Sequence, residues 1–296
     1  MTENQQNKNL QEYREQIDAI DKKIIELLQS RLKIVRQVGA LKHNYQNKFY
    51  IHSNRESDMI KNLIKYADNQ IPTAAIISIW RKIISTANII EQNLKIALHN
   101  PKNINEYYAL VRDYYNNEIP IINFDSANKI VSELENNHCQ IGIFALPNSF
   151  DETEKKEDAK ENWWIALANN QVGMRVFTKI PFSESSTKEN NSHQLLAVAI
   201  KEAEPSQSDK TLVCIESPAQ FNKLSIINFF KENNLEIKIL KSTQIIQFDG
   251  IKFFLGELDG FYNDNNQIFA KLSSKSSAQL KPFIKILGHF PTAIVV

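Results

Sequence analysis

A chain of 296 residues with 42% apolar side chains can enclose two or three cores, at roughly 100–200 residues per domain. Its 35 Lys and Arg balance 34 Asp and Glu, and a formal net charge of +1 predicts no nucleic-acid or membrane attraction for the chain as a whole. The two cysteines, Cys139 and Cys214, lie far apart without metal-ligand spacing, which excludes a disulfide framework and fits a reducing cytoplasm.

The first ten residues are polar and carry no apolar signal core. No apolar run approaches the roughly 20 residues that span a bilayer. A cytoplasmic protein is expected. Seven glycines are few, and they form neither GxGxxG nor a P-loop, so a nucleotide phosphate cradle has no support.

In chain order, Leu10, Tyr13, Ile17, Ile20, Ile24, Leu27, Leu28, Val35, Val38 and Leu41 recur at steps of three and four, a helical period. A helix of about 30 residues is about 45 Å long, too long for a compact monomer of about 100 residues to cover. It calls for a partner chain, as an intertwined dimer or a coiled-coil spacer. Ser53-Asn54-Arg55-Glu56 reads as a capping box opening a short second helix through Ile64. Ile71-Pro72-Thr73 opens a third, with an apolar stripe from Ile76 to Leu94. Residues 1–95 are thus expected to be all-α: long, short, long.

From Leu94 the pattern changes. Strands at Lys95–Leu98, Ile119–Ile122 and Ile141–Leu146 alternate with helices at Ile104–Tyr115 and Ser126–Asn136, which suggests a parallel α/β unit. Asp151–Glu161 and Ser183–Asn191 read as polar surface loops. From Thr211 the order is strand, helix, strand, strand, helix, strand: Thr211–Ile215, Ala219–Asn233, Leu235–Leu240, Ile251–Leu258, Asn265–Leu280 and Phe283–Leu287. That is a βαββαβ module. The expected fold is multidomain: a helical domain over 1–95, an α/β domain over 96–205 and an α+β module over 206–296.

The polar residues of the helical region suggest a pocket. Arg31 and Lys42 are 11 residues apart, about 20° around the helix, and so share a face. Arg14 falls on another face and can serve only a partner's cavity. Asn88 and Gln92 stand at i and i+4. Arg55 and Glu56 open the short helix, where Glu56 reads equally well as the capping partner of Ser53. Several fixed cations, two amides and one carboxylate, without a nucleophile or metal cluster, suit a small dianion whose reaction needs no covalent or acid–base help.

The series Tyr13-Arg14-x-x-Ile17-x-x-Ile20-Asp21, Ser30-Arg31, Val38-Gly39-x-x-Lys42, Asn54-Arg55-Glu56 and Gln92 resembles the all-helical (type II) chorismate mutases over residues 10–95. The elements keep family spacing apart from one extra residue between Lys42 and Arg55. The resemblance implies a homodimer that rearranges chorismate to prephenate without cofactor or metal. Arg31 and the partner's Arg14 would clamp the two carboxylates, and Lys42 and Gln92 would donate to the breaking ether oxygen. Glu56 would receive the ring hydroxyl, and Arg55 would support a carboxylate or the pocket wall. His52 stands where the family often has Asp, and Asn88 where Ser is frequent.

The remainder resembles the second half of bifunctional chorismate mutase–prephenate dehydratases. Pro147 replaces the glutamate of a Glu-Asn-Ser element ending here in Asn148-Ser149. His193, Gln194 and Leu195 stand where Thr-Arg-Phe is usual. The closing module is similar to an amino-acid-sensing ACT domain, without recognisable ligand motifs near Ala219 or Lys241-Ser242-Thr243-Gln244. A degenerate, non-catalytic extension follows from this reading. The alternatives are an active dehydratase, an isochorismate–pyruvate lyase in the same helical pocket, and a non-catalytic sensor.

Overall fold

The computed structural model describes residues 3–42, 49, 51–147, 156–157, 162–184, 193–245, 248–266, 268–269 and 282–296. Three helices come first: α1 (Glu3–Lys42), α2 (Ser53–Ala67) and α3 (Thr73–Glu91). At about 1.5 Å per residue, the 40 residues of α1 make a rod of about 60 Å. Its C-terminal part packs on α3, whereas residues 7–27 are exposed throughout, including Tyr13 (62%), Ile17 (56%), Ile20 (55%) and Leu27 (69%).

The capping box expected at Ser53 does not form. His52 is the N-cap, and its carbonyl accepts from the Glu56 amide (2.9 Å). Ser53 is already helical, and its hydroxyl donates to the Phe177 carbonyl. Pro72 is the N-cap of α3, one residue earlier than a first-turn position, and its carbonyl accepts from the amides of Ala75 and Ile76. Gln92 is the C-cap of α3, in extended conformation (φ −152°, ψ 150°), so the helix ends at this residue. The Asn88 carbonyl still accepts from the Gln92 backbone N–H (3.1 Å).

The rest is built on one ten-stranded sheet, in the order β2-β1-β3-β7-β5-β11-β8-β10-β9-β4. β1 (Ile96–His99), β2 (Ile121–Phe124) and β3 (Ile141–Ala145) are parallel, joined through α4 (Asn105–Tyr114) and α5 (Ala127–Glu135), as the alternating pattern predicts. β5 (Met174–Ile180) and β7 (Leu195–Ile200) run through the middle of the sheet, β7 antiparallel to both β3 and β5. The segment is therefore a mixed sheet. Residues 156–157 form the short edge strand β4 beside β9, and α6 (Trp163–Ala168) follows. Ser183–Glu184, expected in a loop, form β6, which pairs with β12 (Ile294–Val295).

The C-terminal module has β8 (Asp209–Pro218), α7 (Lys223–Glu232), β9 (Ile237–Ile245), β10 (Ile251–Asp259) and β11 (Phe283–Pro291). Its antiparallel order is β11-β8-β10-β9, as a βαββαβ module requires. Most of its expected second helix, 265–280, lies outside the described residues. β11 also pairs in parallel with β5 at Gly288↔Val176, which joins the two halves of the sheet. Gly288 has φ +144°, and a Cβ there would stand 2.2 Å from the Val176 carbonyl oxygen, so only glycine fits this seam.

Alternate residues of each strand feed opposite faces. Leu196 and Val198 join Phe144, Trp163, Trp164 and Leu255 on one side. Leu195, Ala197 and Ala199 join Ile96, Val111 and Phe177 on the other, together with Ile51, Ile60, Ile77 and Ile84 of the helical region. The helices α2 and α3 thus share a core with the sheet.

Candidate active site

Three helices converge on a cavity of about 290 Å3. α1 supplies Arg31, Ile34, Val35 and Val38. His52, Arg55, Glu56 and Met59 come from the start of α2, and α3 supplies Ile84, Ala87, Asn88 and Glu91. The apolar members form the walls, and the polar ones converge. Gly39 of α1 faces the Glu91 side chain of α3, where an added Cβ would sit in ordinary contact at 3.6 Å.

Of the residues singled out from the sequence, Arg31, His52, Arg55, Glu56 and Asn88 are together here. Arg31 Nη1 is buried and makes no hydrogen bond among the described residues. A guanidinium held this way is ready for a carboxylate. Arg55 is exposed at the rim. Arg14 lies 17 residues, about 25 Å, up the exposed part of α1 and is not among the lining residues. Lys42 is the last residue of α1, and its side chain lies outside the described residues. Gln92 follows Glu91 but is not among the lining residues.

Glu56 is fixed by two donors. Arg81 Nη1 binds Oε2 at 2.7 Å, and Asn88 Nδ2 binds Oε1 at 3.2 Å. Each oxygen keeps a lone pair for a further donor. Burial pulls the Arg81 pKa down, but Tyr114 and Glu56 outweigh it and raise it above its ordinary value. Sequence reasoning missed Arg81. The available signal was its place seven residues before Asn88, on the same helical face.

His52 is held from outside the helical region. Its Nδ1 donates to the Glu204 carboxylate (2.8 and 3.0 Å). Lys201 Nζ donates to Glu204 (3.2 Å) and to the Ile51 carbonyl (3.1 Å). Burial acts to raise the Glu204 carboxyl, but the His52 hydrogen bond and the Lys201 charge bring it down to about 2. Glu91, Lys201 and Glu204 also had no separate signal in the sequence, because none falls in the motif series.

Residues 13–92 match the family model described as chorismate mutase type II. The helical region is a type II chorismate mutase domain. Beyond it, the bifunctional chorismate mutase/prephenate dehydratase of Aquifex aeolicus (strain VF5) is 23% identical over 146 residues, 48% of this chain and 40% of that protein. The chain therefore spans about two fifths of that relative's length. Among solved structures, the quorum quenching acylase GqqA aligns with a TM-score of 0.46 and 13% identity, over 67% of this chain and 95% of that one. Prephenate dehydratase from Arthrobacter aurescens, in complex with L-Phe, aligns at 0.45 and 12%, over 68% and 90%.

Outside the mutase domain, the positions compared with dehydratase motifs are committed to structure. His193 pairs with Glu106 (3.1 Å) and meets the edge of Tyr107. Gln194 donates to Glu184 (3.1 Å), and Leu195 is buried in β7. Near the C-terminal end of β3, where parallel sheets commonly bind ligands, Trp163 stacks on Phe144 (5.0 Å, 20°) and donates to the Ala145 carbonyl. Asn148 and Ser149 lie outside the described residues.

Proposed function

We propose that this protein rearranges chorismate to prephenate in the cytoplasm as a homodimer, for phenylalanine and tyrosine synthesis. The observation that carries the reading is the cavity itself, which gathers Arg31, Arg55, Glu56 and Asn88 from three helices inside the matched domain. The reaction is unimolecular and pericyclic, so the protein has to fold the substrate and favour its developing charge. Arg31 and the partner's Arg14 clamp the two carboxylates, with Arg55 assisting. Glu56 accepts the ring hydroxyl with the lone pairs left by Arg81 and Asn88. Lys42 and Gln92 donate to the ether oxygen, a bond that strengthens as charge builds there and so accelerates the step.

The exposed apolar face of α1 supports the dimer, since about half or more of each of Tyr13, Ile17, Ile20, Ile24 and Leu27 stays exposed. Residues 96–205 and 206–296 form a dehydratase-like and an ACT-like extension without chemistry of their own. Trp163 packed near the end of β3, and His193 and Gln194 engaged with glutamates, favour that role. A second reading, a surviving dehydratase, is favoured by the 146-residue similarity, which is longer than the helical region.

Incubation with chorismate, with prephenate and phenylpyruvate separated, tests both. Prephenate accumulating alone supports a mutase with a non-catalytic extension. Phenylpyruvate would establish the bifunctional reading, and no loss of chorismate would refute both.

A further inference from the structure

The carboxylate of Glu56 faces the cavity, but the group that holds it takes its own support from elsewhere. The Arg81 guanidinium lies 3.8 Å from the centroid of the Tyr114 ring and 5.6 Å from that of Phe182. Its Nη2 points at the Tyr114 carbonyl (3.5 Å). Tyr114 ends α4 and is itself pinned through its hydroxyl to Thr178 of β5 (3.0 Å). Tyr114, Thr178 and Phe182 all lie beyond the matched mutase residues 13–92.

The arrangement is one-directional. Arg81 is 3% exposed, and its Nε makes no hydrogen bond among the described residues. Its plane is therefore set by the aromatic stack and the Tyr114 carbonyl, leaving Nη1 for Glu56. Without that stack, the guanidinium keeps its charge beside Glu56 but loses the surface that fixes its plane, and the Asn88 contact does not by itself fix both the position and the rotation of the carboxylate.

We propose that Arg81 is a positioning residue for Glu56, and that Tyr114, in the extension, sets Arg81, so that the extension is a working part of the mutase site. This rests on the reading of the cavity as a mutase site. Lysine cannot replace Arg81, because a compact ammonium neither stacks as a plane nor reaches two acceptors in a fork.

The test measures kcat and KM for chorismate in the full chain. The carboxylate clamps are untouched by these changes, so KM rises only through the ring-hydroxyl contact of Glu56, while the loss of orientation falls on kcat. Tyr114→Leu and Arg81→Lys are each expected to lower kcat by up to about 100-fold, the scale of a small misplacement of a reacting geometry. Tyr114→Phe keeps the ring over Arg81 and restores most of kcat. Val111→Ala, in the same helix and core, lowers stability and leaves kcat near that of the wild type.

A folded Tyr114→Leu with wild-type kcat and KM would overturn the proposal, as would Val111→Ala losing kcat equally. If Tyr114→Leu does not fold, Arg81→Lys decides: loss of kcat supports the positioning role, and an unchanged kcat overturns it. A wild-type chain without chorismate turnover would instead sink the mutase reading beneath it.

Discussion

If the proposed dimer forms through α1, replacing Ile20 and Ile24 by glutamate is expected to split it and abolish chorismate turnover. The two side chains are 55% and 47% exposed in the single chain, so about half of each remains to be covered by a partner. Full burial of an isoleucine is worth about 1.5–3 kcal/mol, so half is worth about 0.75–1.5 kcal/mol. Two-fold symmetry places four such side chains in one interface, for a loss of about 3–6 kcal/mol. At 1.4 kcal/mol per decade, the dimer weakens by about 100- to 10,000-fold, before any cost of enclosing carboxylates. Glutamate is a better helix former than isoleucine, so α1 itself should persist. Sedimentation velocity at micromolar protein should show a monomer with undiminished helical circular dichroism and no chorismate turnover. A variant that stays dimeric with unchanged affinity would refute the assignment of this face. A monomer with full turnover would refute a site completed by the partner.

Other consequences are as direct. Arg14→Ala and Arg31→Ala should each be inactive alone. Mixed and allowed to exchange, they should recover about a quarter of wild-type activity, because half the dimers are hybrids with one intact site; no recovery would mean that both arginines serve one chain's site. Gly288→Ala should cost roughly 2–6 kcal/mol, from the strained φ and the collision with the Val176 carbonyl, and lower Tm accordingly. His289 is buried against Phe261, and its Nε2 donates to the Tyr262 carbonyl. Burial lowers its pKa below 6.5 against the opposing pull of that bond. As pH falls below 6.5 the unfolded chain gains a proton that the folded chain refuses, so stability should fall until the folded pKa is reached. Urea melts of the wild type and His289→Asn, compared between pH 7 and 5, should show a smaller decline in the variant.

The helical region was legible because its motif is local and periodic. Helix α1, the cavity face of Arg31 and the α2 start at Ser53 follow from spacing alone. Gln92 marks the limit of the spacing argument: its N–H still bonds to the Asn88 carbonyl, but α3 ends there in extended conformation. Arg81 escaped notice because its role depends on Tyr114, 33 residues on, and no local period reports such a contact. The parallel unit β1–β3 and the closing βαββαβ module were readable from alternating patterns. The strands β5 and β7 were not recognised, because both are buried on both faces. Met174–Ile180 and Leu195–Ile200 show no polar alternation, only short apolar runs beside polar segments that resemble loops.

Those two strands also change what the boundary at residue 95 means. Ile51, Ile60, Ile77 and Ile84 of the mutase domain are buried at 1%, 0%, 6% and 4% in a core shared with Val111, Phe177 and Leu195. Ser53 bonds to β5, Lys82 caps the carbonyls of Arg112 and Asp113, and Lys201 reaches Ile51. A chain ending near residue 95 would remove the sheet's share of the cover over four isoleucines and leave Arg81 without the ring beside it. The helical fold and its motif can therefore be family-like in sequence while its stability is not self-contained. Whatever chemistry the extension carries, it has a physical reason to be retained, because α2 and α3 share a core with its sheet.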